Sequence, residues 1–140
     1  MDADLLAFNK QLEGFVEAVT QATTKTLQQI VVEVGTSVVM LSPVLTGRFR
    51  GNWQMTVGQP ASHTLEATDK DGAATLSALR QMAATLTAGE IGYIVNNLDY
   101  GNNVESIGWA VTPPYAPVRR TLSQFTAIAN AAIAKHKVDK

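Results

Sequence analysis

The chain has 140 residues, of which 46% are hydrophobic and 16% are charged, and its formal net charge is −1. This length suits a single domain over residues 1–140. The near-zero charge excludes recognition of nucleic acid or of an anionic membrane through the overall field. The absence of cysteine excludes disulfides and thiolate metal sites. A charged fraction this far below the usual value of about a quarter favours contact with other subunits.

Two features argue against export and membrane insertion. The first four residues are acidic and lack the basic region of a signal peptide. The longest apolar run, residues 30–41, is interrupted by polar residues and is shorter than the roughly 20 residues that a bilayer span needs. We therefore expect a soluble protein that is made in a cytoplasm and has no membrane partner.

A long amphipathic helix is predicted over residues 1–41, because apolar residues recur there in steps of three and four. Asp2 or Asp4 is suited to cap its start. The β-branched residues 30–32 are poor helix formers and leave a strand there as the alternative. The apolar positions are Leu5, Phe8, Leu12, Phe15, Val16, Val19, Ala22, Leu27, Ile30, Val34, Val38 and Leu41.

The length of this helix raises the question of what its N-terminal half contacts. A continuous helix of about 38 residues would be roughly 57 Å long, whereas a compact domain of this size is about 35–40 Å across. Either the helix breaks near Gly14 and folds back, or its N-terminal half projects and packs on another subunit. The sequence leaves both alternatives open.

Residues 42–54 are predicted to form a corner between this helix and a sheet. Pro43 is disfavoured inside a helix and ends it near residue 41. Gly47 is free to adopt a positive φ in a turn. Apolar and polar residues then alternate over residues 49–57, which predicts a half-buried strand that includes Trp53. Pro43, Gly47 and Trp53 are therefore the expected structural residues of the corner.

The remaining chain predicts an α+β fold with a long N-terminal helix, a small antiparallel β-sheet and a C-terminal helix packed on the sheet. Residues 42–140 would hold the sheet and the shorter helices. The predicted segments are a loop at 61–72 with a short strand at 63–68 as an option, a helix from 73 ended by residues 88–89, a strand at 89–96, a helical turn at 99–106, a loop at 107–115 and a last helix that Pro117 opens.

No group of residues indicates catalysis. His63 and His136 are not placed at metal-ligand spacing, and no nucleophile elbow or phosphate-binding loop is present in the sequence. Asp99 and Glu105, together with Glu90, could be considered as an acid/base pair, but carboxylates in this pattern are typical of an ordinary polar loop. We expect no enzyme activity, no cofactor and no bound metal.

The arginines are the first candidates for an assembly surface. Arg48 and Arg50 lie two apart on the predicted strand and so would face the same side. Arg119 and Arg120 fall in the first turn of the last helix, where positive charge opposes the helix dipole. Bidentate salt bridges to another subunit would offset this cost. The alternative is pairing inside the subunit with Glu90, Asp99 or Glu105.

The aromatic residues divide into core and interface candidates. Trp53 and Tyr93 have strand spacing and are expected in the core. Trp109 lies in a loop rich in glycine and proline, where its own domain is less able to bury it, and such residues are enriched at interfaces. The interface candidates are Arg48, Arg50, Trp109, Arg119 and Arg120.

Several short blocks of the chain, taken in order, resemble a family of tailed-bacteriophage proteins. The first block consists of Ser42, Pro43, Val44, Thr46, Gly47, Arg48, Phe49, Arg50, Gly51 and Trp53. The second consists of Ile94, Val95, Asn96, Asn97, Leu98 and Tyr100, followed by Glu105 and Gly108. A third, Ala116, Pro117, Val118 and Arg119, lacks a glycine that the family has, and residues 8–17 resemble the family's first helix. The family comprises neck or tail-completion proteins, often labelled minor tail components.

The resemblance implies a structural virion protein, made in the host cytoplasm, that forms a ring of six or twelve copies at the neck. The ring would join head and tail or complete the tail, in contact with connector, stopper or tail proteins, while DNA passes through its lumen without specific binding. Two departures, Gly101 in place of the usual alanine and an inserted helix within residues 58–88, leave the ring position open. A tail terminator ring that caps the tail tube is the alternative. A small nucleic-acid-binding accessory protein or hydrolase is the alternative from another class.

Overall fold

The computed structural model describes residues 2–108 and 114–138. Its helices are α1 (Ala3–Met40), α2 (Arg48–Gly51), α3 (Ala73–Ala83), α4 (Pro117–Leu122) and α5 (Phe125–Lys135), its strands are β1 (Trp53–Val57) and β2 (Gly92–Asn96), and Asn103–Ile107 forms a π-helix. The predicted α+β class, with a long first helix, a small antiparallel sheet and a helical C-terminal segment, is confirmed. None of the described helices is long and apolar enough to cross a bilayer.

Helix α1 is one continuous helix of 38 residues, about 57 Å long at 1.5 Å per residue. The side chain of Asp2 caps its start by accepting a hydrogen bond from the backbone N–H of Asp4 at 3.1 Å. The helix passes through Gly14 and through residues 30–32 without interruption, so the alternative of a break near Gly14 and the alternative strand are both wrong. The sharp stop after Met40 agrees with the expected effect of Pro43.

The two strands pair antiparallel, with Trp53 opposite Asn96 and Met55 opposite Ile94. The predicted start of the first strand at residue 49 is wrong, because residues 48–51 form the helical turn α2. A hydrogen bond of 2.9 Å from the N–H of Gly51 to the carbonyl of Gly47 closes this turn. Arg48 and Arg50 therefore lie on a helical turn and not on a strand.

Three other boundaries differ from the expectation. Helix α3 ends at Ala83, well before residues 88–89. Residues 63–68 form no strand, which agrees with the predicted loop and rules out the alternative of a short strand. Strand β2 begins at Gly92, since residues 87–90 are held in a turn by a hydrogen bond from the N–H of Glu90 to the carbonyl of Thr87. The last helix is split into α4 and α5 at Ser123, whose hydroxyl donates to the carbonyl of Arg120 at 2.6 Å and so competes with the helical pattern.

The C-terminal half of α1 is the support on which the other elements pack. One core cluster surrounds Val39, Phe49 and Trp53, and a second surrounds Met55 and Leu79. Helices α3, α4 and α5 all contact α1. At the crossing with α3, a Cβ on Gly35 would lie 2.1 Å from Cδ1 of Leu79, so this glycine permits close helix packing and does not bend α1.

Candidate assembly site

Arg50 holds the corner together from inside the subunit. Its guanidinium donates through Nη2 to the carbonyl of Met40 at 2.9 Å, through Nε to that of Ser42 at 3.3 Å, and through Nη1 to that of Lys70 at 2.8 Å. The last carbonyls of a helix lack intrahelical partners and carry partial negative charge. Arg50 therefore satisfies the end of α1 and ties the loop before α3 to the same point.

A second set of hydrogen bonds joins β1 to the end of α1. Nε1 of Trp53 donates to Oγ of Ser42 at 2.8 Å, and that hydroxyl donates to the carbonyl of Val38 at 2.6 Å. Both side chains are buried, and the ring of Phe49 packs edge-on against Trp53 with centroids 5.9 Å apart. The prediction that Trp53 is a core residue of the corner is confirmed.

Gly47 has the positive φ that the sequence predicted, with a value of 81°. Its carbonyl accepts from the N–H groups of Gly51 and Asp69, each at 2.9 Å. A Cβ at Gly47 would lie 2.6 Å from the backbone nitrogen of Lys70. Both the backbone conformation and the lack of space therefore require glycine.

Arg48 is the other corner arginine and has weaker contacts. Its Nη2 lies 3.9 Å from Oε1 of Glu66, whose side chain is 94% exposed, and such an exposed pair adds little stability. Within residues 2–108 and 114–138 this is the one ion pair, so none of the four candidate arginines pairs with Glu90, Asp99 or Glu105 there. The option of ion pairing with those three carboxylates inside the subunit is wrong for the described residues.

Glu105 has a different role, as the cap of α4. Its two carboxylate oxygens accept from the backbone N–H groups of Val118 at 2.7 Å and Arg119 at 3.1 Å. A carboxylate at this end of a helix favours the dipole and offsets the unfavourable position of the nearby arginines. The side chains of Arg119 and Arg120 are exposed, and Nη1 of Arg120 reaches the carbonyl of Tyr115 at 3.4 Å. They stay interface candidates, whereas Trp109 lies outside the described residues.

The blocks that carry the resemblance meet around the corner. Nδ2 of Asn96 donates to the carbonyl of Phe49 at 2.8 Å, and the ring of Tyr100 lies 5.8 Å from that of Phe49. Glu105, which follows the second block, joins it to the third by accepting hydrogen bonds from the start of α4. Pro117 of the third block lines a cavity together with Trp53 and Asn96. Segments distant in sequence are thus brought into one contiguous region.

Sequence reasoning missed Asn52, which organises the loop beside the corner. Its buried amide donates to the carbonyls of Arg48 at 2.7 Å and Leu65 at 3.0 Å, and its Oδ1 accepts from the N–H of Leu65 at 2.7 Å. Only its position between the apolar residues 51 and 53 marks it in the sequence. An inward-facing asparagine needs such partners because an unpaired buried amide is costly.

The N-terminal part of α1 carries an exposed apolar surface. Residues 2–17 are all exposed apart from the half-buried Asn9. The other elements begin to cover α1 near Ala18, where the end of α5 forms a cavity with it. The large apolar side chains left exposed are Leu5, Leu6, Phe8, Leu12, Phe15 and Val16. We call residues 3–17 the projecting segment.

Another exposed apolar surface lies beside the corner. Leu45 is 91% exposed and lines an open cavity of about 370 Å³ together with Pro43, Phe49 and Tyr100.

The described residues contain no group of three or more His, Cys, Asp or Glu side chains that could hold a metal ion. Comparison of the chain with protein-family models, with curated proteins and with solved structures found no match.

Proposed function

We propose that this chain is a structural subunit of a tailed-bacteriophage virion, located in a ring at the neck that joins head and tail or completes the tail. The observation that carries the proposal is the meeting of the family-like blocks. Asn96 of the second block bonds to Phe49 of the first, and Glu105 caps the helix that begins in the third. Blocks that a family keeps as one structural unit are expected to contact one another in this way.

The projecting segment supports a role that requires further copies or neighbours. Phe8 and Phe15 are 58% and 60% exposed, although burying such side chains is worth about 1.5–3 kcal/mol each. A contiguous exposed apolar surface commonly marks a protein–protein interaction site. A subunit that functions only within an assembly fits this arrangement.

The charge balance supports a ring through which DNA passes freely. The net charge is −1, and binding of nucleic acid draws mainly on many cationic contacts to phosphates. At the corner, the guanidinium of Arg50 is occupied by three backbone carbonyls. A lumen built from such subunits would not retain DNA strongly.

The proposal is tested by locating the protein in purified virions. Cryo-electron microscopy with a tag fused to the chain should place six or twelve copies in a ring at the neck. Density that caps the tail tube would assign the tail-terminator role instead. Absence of the protein from purified, infectious particles would contradict a structural virion role altogether.

A further inference from the structure

We propose that the projecting segment is the surface by which two copies of this chain pair about a two-fold axis, with their α1 helices antiparallel. The segment is about 23 Å long at 1.5 Å per residue. Since α1 is continuous, the segment cannot fold back onto its own domain. A second copy is therefore the occupant that we infer for this face.

The spacing of the exposed side chains is that of a helix–helix seam. Leu5, Phe8, Leu12 and Phe15 follow steps of three, four and three, and Val19 continues the series. These steps place them at the a and d positions of two heptads. The four side chains are between 50% and 60% exposed, so the whole seam is open to a partner.

The order of leucine and phenylalanine favours antiparallel pairing. In that arrangement an a position faces a d position, so each Leu would meet a Phe: Leu5 would face Phe15 of the second copy, and Phe8 would face Leu12. A parallel pair would instead place Leu on Leu and Phe on Phe in alternating layers. Alternation of large and smaller side chains across facing positions allows uniform packing.

The charges along the segment agree with this arrangement. Of the positions that flank the seam, Asn9, Gln11, Val16 and Ala18 are uncharged. Asp4 also flanks the seam, but in the antiparallel pair it would face the uncharged Ala18 of the second copy, so these positions create no repulsion between copies. The pairs of opposite charge that usually direct parallel coiled coils are absent from these flanking positions. The charged residues Lys10, Glu13 and Glu17 lie on other faces of the helix.

The end of α5 supplies a complementary site for the start of the second α1. The path of α5 along α1 is antiparallel: Thr121, just before α5, bonds to Ser37, and His136 at its end bonds to Gln29. The second α1 would continue this path beyond the end of α5. The apolar face is continuous there, because Val19 and Ile133 line the same cavity.

Opposite charges would meet at this junction. The N-terminal residues Asp2 and Asp4 of the second copy would approach a group of lysines around the end of α5. Those lysines are Lys25, Lys135 and Lys137, which line one cavity and make no ion pair with any residue of 2–108 or 114–138. The negative end of the α5 dipole would also face the positive end of the second α1.

The size of the contact predicts a weak, concentration-dependent pair. Half the accessible surface of a helix this long is roughly 450 Å², which gives about 900 Å² for both copies. This lies below the range of about 1,200–2,000 Å² typical of stable complexes. A two-fold contact also cannot close a cyclic ring by itself, so the pairing does not rest on the proposed neck ring.

Engineered cysteines test the pairing directly, because the chain has none of its own. In the antiparallel pair, Gln11 lies beside the two-fold axis and close to Gln11 of the second copy. The two Leu5 residues, in contrast, are about 15 Å apart along the seam. Mild oxidation should therefore cross-link the Gln11→Cys variant into dimers and leave the Leu5→Cys variant monomeric. Cross-linking of Leu5→Cys with none at Gln11→Cys would overturn the antiparallel arrangement.

Sedimentation analysis of the full chain tests the surface itself. The unmodified protein should shift from monomer to dimer with rising micromolar concentration, and Phe8→Glu should abolish that shift. Ile91→Glu changes another apolar residue that is 61% exposed, and it should leave dimerisation intact. A chain that is monomeric at all concentrations, or an oligomer that Phe8→Glu leaves unchanged, would overturn the proposal. Circular dichroism of each variant checks that α1 is still folded.

Discussion

Arg50 donates a hydrogen bond from Nη2 to the carbonyl oxygen of Met40, the last residue of α1, at 2.9 Å. The two residues lie ten positions apart, on either side of the turn at Gly47. Two further carbonyls, from Ser42 and Lys70, accept from the same guanidinium. The long helix, the corner and the loop before α3 are therefore fixed relative to one another by one side chain.

The first prediction concerns the loss of this guanidinium. Arg50→Ala should lower the free energy of unfolding by about 2–3 kcal/mol, since hydrogen bonds from charged groups contribute about 1.5–3 kcal/mol and the carbonyls would lose partners. Arg48→Ala should cost less than about 1 kcal/mol, because Arg48 makes only a long, exposed ion pair. Urea denaturation compares the two variants, and equal losses would contradict the role assigned to Arg50.

This geometry also changes the expectation for Arg50→Glu. If Arg50 lay on a strand that faces another subunit, as its position in the sequence predicts, Arg50→Glu would leave the fold of the monomer intact and impair only assembly. A carboxylate at this site would face the carbonyls of Met40, Ser42 and Lys70, so we now expect lower stability of the monomer as well. Defects in particle assembly are therefore better measured with variants of the exposed Arg119 and Arg120.

The second prediction concerns the turn. Gly47→Ala should destabilise the protein by about 2–4 kcal/mol, because it adds backbone strain at φ 81° and a Cβ 2.6 Å from the nitrogen of Lys70. Gly58 also has a positive φ, of 89°, but a Cβ there would meet no described atom within 4 Å. Gly58→Ala should therefore lower the free energy of unfolding only by the added backbone strain, about 1–2 kcal/mol. Thermal melts that rank the two variants in the opposite order would contradict the steric part.

The third prediction concerns pH. Desolvation raises the pKa of Asp69, but hydrogen bonds from the side chain and backbone of Thr75 and from the backbone of Gly72 outweigh it and lower the pKa below the ordinary 3.8. A carboxyl whose pKa is lower in the folded state than in the unfolded state stabilises the fold at pH values above its pKa in the unfolded state. This contribution is lost as the pH falls through its pKa in the folded state. The stability advantage of the native chain over Asp69→Asn should therefore be full near pH 6 and shrink below pH 3.8.

Urea denaturation at several pH values between 2 and 6 measures this difference. Glu13→Gln, which changes an exposed carboxylate on the projecting segment, provides the control and should follow the native chain closely. A stability difference for Asp69→Asn that is the same at both ends of the pH range would contradict the assignment. In that case the hydrogen bond from the N–H of Thr75 at 2.7 Å would stabilise the loop without depending on charge.

The elements with strong local signals were predictable from the sequence. The spacing of apolar residues in steps of three and four predicted α1, Pro43 predicted where α1 ends, and Gly47 predicted a positive φ in the turn. The strand predicted from residue 49 was wrong, because a positive φ at Gly47 lets a hydrogen bond from Gly51 close a helical turn in spite of the alternating pattern. The local pattern of apolar and polar residues does not show whether the backbone forms a strand or closes a hydrogen-bonded helical turn at this place.

The candidate site was less predictable, since its decisive contacts join distant segments. Asn52 and Asn96 act through backbone carbonyls that have no sequence signature. Arg50 was predicted as an interface residue, whereas its guanidinium donates to three backbone carbonyls of its own subunit, which come from two separate segments. The extent of the projecting segment depends on where α5 ends along α1, which only the tertiary packing determines.

The last prediction compares two glycines of α1. Gly14→Ala should raise stability by up to about 1 kcal/mol, because alanine is the better helix former and a Cβ there meets no described atom within 4 Å. Gly35→Ala offers the same gain in helix propensity, but its Cβ would lie 2.1 Å from the buried Leu79, and such overpacking typically costs about 1–3 kcal/mol. The two substitutions should therefore shift the melting temperature in opposite directions. Stabilisation by Gly35→Ala would show that α3 can move away from α1 at little cost.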